Sequence, residues 1–101
     1  MKHFVVIRPE AESDLRVTFQ WYEEQVPGLG IEFLRCVDAS MALIIRSPEI
    51  SPTVYKQIRR KFIRRFPYGI FYFFDNNKII VIAVMHARRD PKYWQKREKN
   101  G

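Results

Sequence analysis

Apolar and polar positions along this chain change period several times, and each change marks a new element. His3–Arg8 is a β-branched and aromatic run that reads as a strand, ended by Pro9. Pro9 also suits the first turn of a helix, where Glu10, Glu12 and Asp14 lie near the positive end of the helix dipole. Ala11, Leu15, Phe19 (or Thr18) and Tyr22 then recur at three- and four-residue steps, the spacing of an amphipathic helix running to about Gln25. Val17 and Trp21 widen its stripe, and Trp21 and Tyr22 are expected in the core. Val26-Pro27-Gly28-Leu29-Gly30 stops the helix. A second helix places Leu34, Val37, Met41 and Ile44/Ile45 on one face and ends near Ser47-Pro48. So short a link between two striped helices predicts an antiparallel hairpin.

Pro48-Glu49-Ile50-Ser51-Pro52 reads as a loop, and after it the period becomes two. A strand from about Gln57 to Arg65 puts Ile58, Arg60, Phe62 and Arg64 on one side and Arg59, Lys61 and Ile63 on the other. Phe66-Pro67-Tyr68-Gly69 is a corner. Ile70–Asp75 and Lys78–His86 are two strands joined by Asn76-Asn77, a pair suited to a tight hairpin because Asn tolerates positive φ. Ile79–Val84 is almost unbroken in its apolar character, as in a central strand covered on both faces, or covered on one and lidded by a partner on the other. The expectation is one α+β domain over residues 1–101: an N-terminal strand, an antiparallel helical hairpin, a three-stranded antiparallel meander in one sheet, and a short basic C-terminal tail.

Composition narrows the class. The chain has 101 residues, 47% hydrophobic and 29% charged, which fits a globular domain and not a disordered one. The net charge of +7 is unevenly placed. Residues 1–55 carry five basic and eight acidic side chains, whereas residues 56–101 carry thirteen and three. A domain with one strongly cationic half is suited to a polyanion or an acidic protein. No apolar stretch is long enough to cross a bilayer, the N-terminal run lacks the pattern of a secretory signal, and Cys36 has no partner for a disulfide. The chain reads as cytoplasmic, with no membrane partner, cofactor or metal implied and with Cys36 as an inert buried thiol. Gly28-Leu29-Gly30 follows a helix and lacks the lysine of a phosphate loop, so it reads as an interhelical turn.

Several strings carry a resemblance. Trp21-Tyr22-Glu23 before Gly28-Leu29-Gly30, then Phe33 and Val37-Asp38, is similar to the helical hairpin of the RelE/ParE family, toxins of bacterial type II toxin–antitoxin systems. Arg64-Arg65-Phe66-Pro67-Tyr68-Gly69-Ile70-Phe71-Tyr72 resembles the family's second-to-third strand corner. Ile79 to Val84, followed by His86-Ala87-Arg88-Arg89-Asp90-Pro91 and Trp94, resembles its last strand and C-terminal signature. The resemblance spans about residues 3–97. It implies a small basic toxin held in a hetero-oligomer by an acidic antitoxin encoded beside it. RelE-type members cleave mRNA on the ribosome; ParE-type members poison DNA gyrase and are not enzymes.

The choice between these targets rests on residues. Cleavage of RNA needs a base for the 2′-hydroxyl, charge stabilisation and an acid for the leaving oxygen. Aligned on Tyr72, Gly69 takes the place of a family arginine, Trp94 aligns with a family tyrosine beside Tyr93, and Phe62 falls where a second-strand basic residue is expected, with Arg60 matching the other. Arg88 alone matches a family arginine cleanly. The resemblance with these departures implies a ParE-like gyrase inhibitor; the alternative is a ribosome-dependent endoribonuclease using His86, Arg88, Tyr93 and Arg65. His86 itself reads either as a general base or as a hydrogen-bonded structural residue. Asp90 reads as a cap for a helical turn begun by Pro91, or as a partner of Arg88 or Arg89. Arg88, Arg89, Tyr93 and Trp94 are expected to contact the target from an exposed tail. Arg59, Arg60, Lys61, Arg64 and Arg65 have three readings, namely phosphate contact, an acidic antitoxin's dock, or a charged edge that resists aggregation. The antitoxin role ranks first, since the resemblance implies a peptide lying along a groove.

Overall fold

A computed structural model of the chain describes residues 3–99; the ends of the expected domain, residues 1–2 and 100–101, lie outside the described residues. Strand β1 (Phe4–Ile7) leads into helices α1 (Pro9–Gln25) and α2 (Leu29–Arg46). Strands β2 (Thr53–Tyr55), β3 (Ile58–Phe62), β4 (Tyr68–Asp75) and β5 (Lys78–His86) follow, then a single helical turn, α3 (Lys92–Gln95), extended by a 3-10 turn over Lys96–Lys99. The five strands form one sheet in the order β1-β5-β4-β3-β2.

The hairpin is set by a few local contacts. Pro9 starts α1, and Gly28 stands at the head of α2 with φ of +90°, a backbone state that glycine adopts without strain. The Glu23 carboxylate accepts hydrogen bonds from the backbone N–H groups of Gly28 (2.8 Å) and Gly30 (2.9 Å), satisfying donors that the start of α2 leaves open. Gly30 has no room for a side chain, because a Cβ there would sit 2.6 Å from the Phe19 carbonyl oxygen. The interhelical turn is as expected.

Both helices lie on one face of the sheet. Ala11, Phe33, Val37 and Ile44 meet Ile70, Tyr72, Ile79, Val81 and Val84 in the main core. Thr18, not Phe19, is the buried position of its turn. The far face holds a second cluster, in which Ile58, Phe71, Ile82 and Met85 pack under Trp94. Thus the apolar run in β5 is covered on both sides, by helices on one and by the chain's own tail on the other.

Four features add to or depart from the expected layout. Thr53–Tyr55 adds a fourth antiparallel strand to the meander, pairing with β3 through a tight turn at Lys56, whose φ is +52°. Strand β3 ends at Phe62 and not at Arg65, because Arg65 takes a φ of +71° and the Ile63 N–H bonds to the Tyr68 carbonyl to close the corner. Strand β1 pairs parallel to β5, since the hairpin returns the chain past its own start. Trp21 is 53% exposed, edge-on to the half-buried Tyr22. The Asn76-Asn77 turn is as expected, with Asn76 at φ of +56° between the paired Asp75 and Lys78.

Candidate functional site: two grooves and a cationic loop

The β3–β4 corner separates two grooves. The first, about 350 Å³, runs between α2 and the end of β3. Lys61, Arg64, Arg65 and Arg35 surround it, Cys36 and Leu43 contribute apolar surface, and Phe62 borders its β3 end. Its one carboxylate is Glu32, which accepts from Arg65 at 3.0 Å and lies 3.6 Å from Arg35. Phe62 is 52% exposed, and Leu43 leads on to an adjoining hollow beside the open side chain of Ile50. Cys36 is half-buried at this groove and not sealed in the core.

The run of cations on β3 is divided by the period of the strand. Arg59 and Lys61 share the helix-bearing face, and Arg60 and Phe62 share the other. Arg59 is committed to the fold: its guanidinium donates to the carbonyls of Glu49 (2.7 Å) and Ser51 (2.6 Å) and lies over the Phe74 ring. That clamp, with the Tyr72 hydroxyl donating to the Pro48 carbonyl at 2.7 Å, fixes the loop before β2. Burial pushes the Tyr72 phenol above its ordinary range. Arg60 lies over Phe62, with its stem across Gly69. Of the five residues expected to dock an antitoxin, only Lys61, Arg64 and Arg65 meet in one groove.

The second groove, about 680 Å³, lies between α1 and the end of β5. Val17, Trp21, Tyr22, Tyr68, His86 and Arg89 line it. Burial, and then the neighbouring Tyr68, raise the Tyr22 phenol above its ordinary pKa. His86 packs edge-on to Tyr68, and its Nδ1 accepts from the Arg88 N–H at 3.0 Å.

Beyond His86 the chain forms a loop. Asp90 accepts from the Lys92 N–H at 3.0 Å through Oδ1, and its carbonyl accepts from the Tyr93 N–H, so it caps α3 as expected. Arg88, Arg89 and Tyr93 are exposed; Arg89 lies over the Tyr93 ring at 4.2 Å and Lys96 approaches the same ring at 5.4 Å. Trp94 corrects the expectation of an exposed tail. It is 4% exposed and stacked on Phe71 at 4.5 Å, because the far face of the sheet would otherwise expose Phe71, Ile82 and Met85. The four side chains considered for RNA cleavage do not share a pocket. Arg65 lines the first groove and His86 the second, whereas Arg88 and Tyr93 line neither.

The family profile of ParE toxins of type II toxin–antitoxin systems matches residues 5–91. The chain belongs to the ParE toxin family. No curated protein sequence matches this ParE-family chain. Among solved structures, one from the chromosomal ParDE system of P. aeruginosa is similar in fold, with a TM-score of 0.75 at 11% identity, covering 84% of this chain and 96% of that one. A mutant of the E. coli toxin RelE in the free state is also similar, with a TM-score of 0.68 at 18% identity, covering 96% and 98%. At these identities the two structures speak for the fold the chains share. No helix among the described residues is long and apolar enough to cross a membrane.

Proposed function

We propose that this ParE-family toxin arrests growth by poisoning DNA gyrase, and that a cognate acidic antitoxin silences it from the α2–β3 groove. The observation that carries the target reading is the dispersal of the acid–base set. Arg65 bonds to Glu32 in one groove, His86 packs on Tyr68 in the other, and Arg88 and Tyr93 line neither. General acid–base chemistry needs its groups within hydrogen-bond reach of one reacting phosphate. Stoichiometric binding has no such requirement. It needs charge and contact area, and Arg88, Arg89 and Tyr93 offer both on one loop.

The antitoxin reading rests on the first groove. Three cations, Lys61, Arg64 and Arg65, border apolar side chains that are left open in the isolated chain. An amphipathic segment with carboxylates beside apolar anchors complements both features. Its attraction to the groove is partly screened by salt, so affinity falls with ionic strength while apolar contact with Leu43 persists.

One preparation of the free toxin tests the target. In a gyrase supercoiling assay it inhibits stoichiometrically and accumulates cleaved DNA; full supercoiling at excess toxin ends the gyrase reading. In a translation extract the same preparation leaves mRNA intact. Codon-linked cuts that vanish with His86→Ala and Arg88→Ala would favour the endoribonuclease, since His86 does sit beside Tyr68 and Arg89 in the larger groove. Antitoxin affinity reports the groove separately: Arg65→Glu weakens it by about tenfold or more, in line with a lost charge pair that gains a like-charge repulsion.

A further inference from the structure

The segment after α3 is held by a clasp that none of the proposed contacts uses. The Arg97 guanidinium donates to both oxygens of Asp14, at 2.7 and 3.3 Å, and to the Ile82 carbonyl at 3.0 Å. Asp14 also accepts from the Val84 N–H at 3.0 Å, and Arg8 donates to the Arg97 carbonyl at 3.0 Å. The Arg97 and Asp14 side chains are only 18% and 17% exposed. Strand β1 pairs with β5 no further than Val81, so Arg97 and Asp14 take hydrogen-bonding positions along the edge that a longer β1 would have filled.

The consequence lies one turn away. The loop over residues 87–93 is fixed at its start by the Ala87 N–H bonding to the Pro67 carbonyl and at its end by Trp94 on Phe71. Arg97 then locks the segment that carries Trp94. A loop tied at both ends presents Arg89 over Tyr93, with less ordering cost left to meet at binding.

We infer that Arg97, clasped by Asp14, is a positioning residue that pre-organises the Arg88–Arg89–Tyr93 loop for the toxin's target while leaving antitoxin docking untouched. This rests on the reading of that loop as the target contact. A charge-assisted hydrogen bond contributes more than a neutral one, and Arg97 makes its bonds in a partly buried setting where few waters compete. Loss of the clasp therefore frees the tail before it unfolds the domain.

The test uses Arg97→Gln and Asp14→Asn, with Arg97→Lys as the conservative variant. Limited trypsin digestion reads the loop directly through cleavage after Arg88, Arg89 and Lys92, with the Arg64–Arg65 corner as internal reference. Arg97→Gln raises loop cleavage on the order of tenfold relative to the corner, as an opening equilibrium shifted by one decade requires. Arg97→Lys, which keeps the charge but not the fork, lies between the two. Growth arrest on induction drops with loop opening across the series, while antitoxin affinity stays within twofold, roughly the scatter expected for a site that is not coupled.

Unchanged loop cleavage overturns the inference. So does an equal rise at the loop and the corner, which would mean global unfolding, and so does undiminished growth arrest in a variant whose loop has opened. A parallel fall in antitoxin affinity would show that Arg97 serves the whole fold and not the loop. Failure of the parent chain to arrest growth would instead defeat the toxin reading, and the digestion pattern would still decide whether the clasp holds the loop.

Discussion

Replacing Trp94 with alanine separates a core residue from a surface anchor. The indole is 4% exposed, stacks on Phe71 with 23° between the ring planes, and meets Tyr55 edge-on at 6.2 Å. An aromatic side chain of this kind buries on the order of 200 Å². At about 25 cal/mol per Å² that is about 5 kcal/mol, and the compactness of real unfolded chains trims it. Alanine keeps a little of this area and leaves a cavity, so the expected cost is about 3–4 kcal/mol, within the range of aromatic truncations in cores. A chain of this size has about 5–15 kcal/mol to lose, so the melting temperature should drop by roughly 12 °C or more. Trp94→Phe preserves a ring on Phe71 and should cost less than half as much. Urea unfolding followed by far-UV circular dichroism measures both. A Trp94→Ala cost below about 0.5 kcal/mol, the range of ordinary surface changes, would refute the packing argument and return Trp94 to the set of exposed contacts.

Two further outcomes follow from buried geometry. Gly30→Ala puts a Cβ 2.6 Å from the Phe19 carbonyl oxygen and 2.9 Å from Glu23 Oε1, so α1 and α2 must part and the Glu23 cap must shift; the expected loss is about 1–3 kcal/mol in thermal unfolding, and a neutral result would mean that the hairpin is looser than its contacts imply. Tyr72 has a folded pKa raised by burial, so its contribution to stability is complete below the ordinary tyrosine value near 10 and is lost as pH climbs from there through the folded value. Urea midpoints for the parent and Tyr72→Phe should therefore converge above about pH 10, the variant being weaker at neutral pH for want of the bond to the Pro48 carbonyl; parallel curves would count against the buried phenol.

Much of the fold was legible because its signals are local. The three- and four-residue steps of α1 and α2, the period of two after Pro52, the Gly28-Leu29-Gly30 turn and the cap at Asp90 each arise within one or two turns of chain. Thr53-Val54-Tyr55 is a β-branched and aromatic triplet that signals a strand, but three residues between Pro52 and a tight turn are too few for periodicity to register. The five cations after Gln57 form one cluster in sequence and separate groups in space, since alternation sends Arg60 to the far face while the loop carbonyls of Glu49 and Ser51 claim Arg59. Trp94 looked like a free aromatic among charges because its partner, Phe71, lies on another strand. Arg97 carries no local mark of its role, for its carboxylate partner is 83 residues away at Asp14. Local pattern could therefore name the elements and the charge of this toxin. Which charges face a partner and which hold the chain together depended on side chains meeting across the sheet, where packing and desolvation, and not sequence spacing, set the energies.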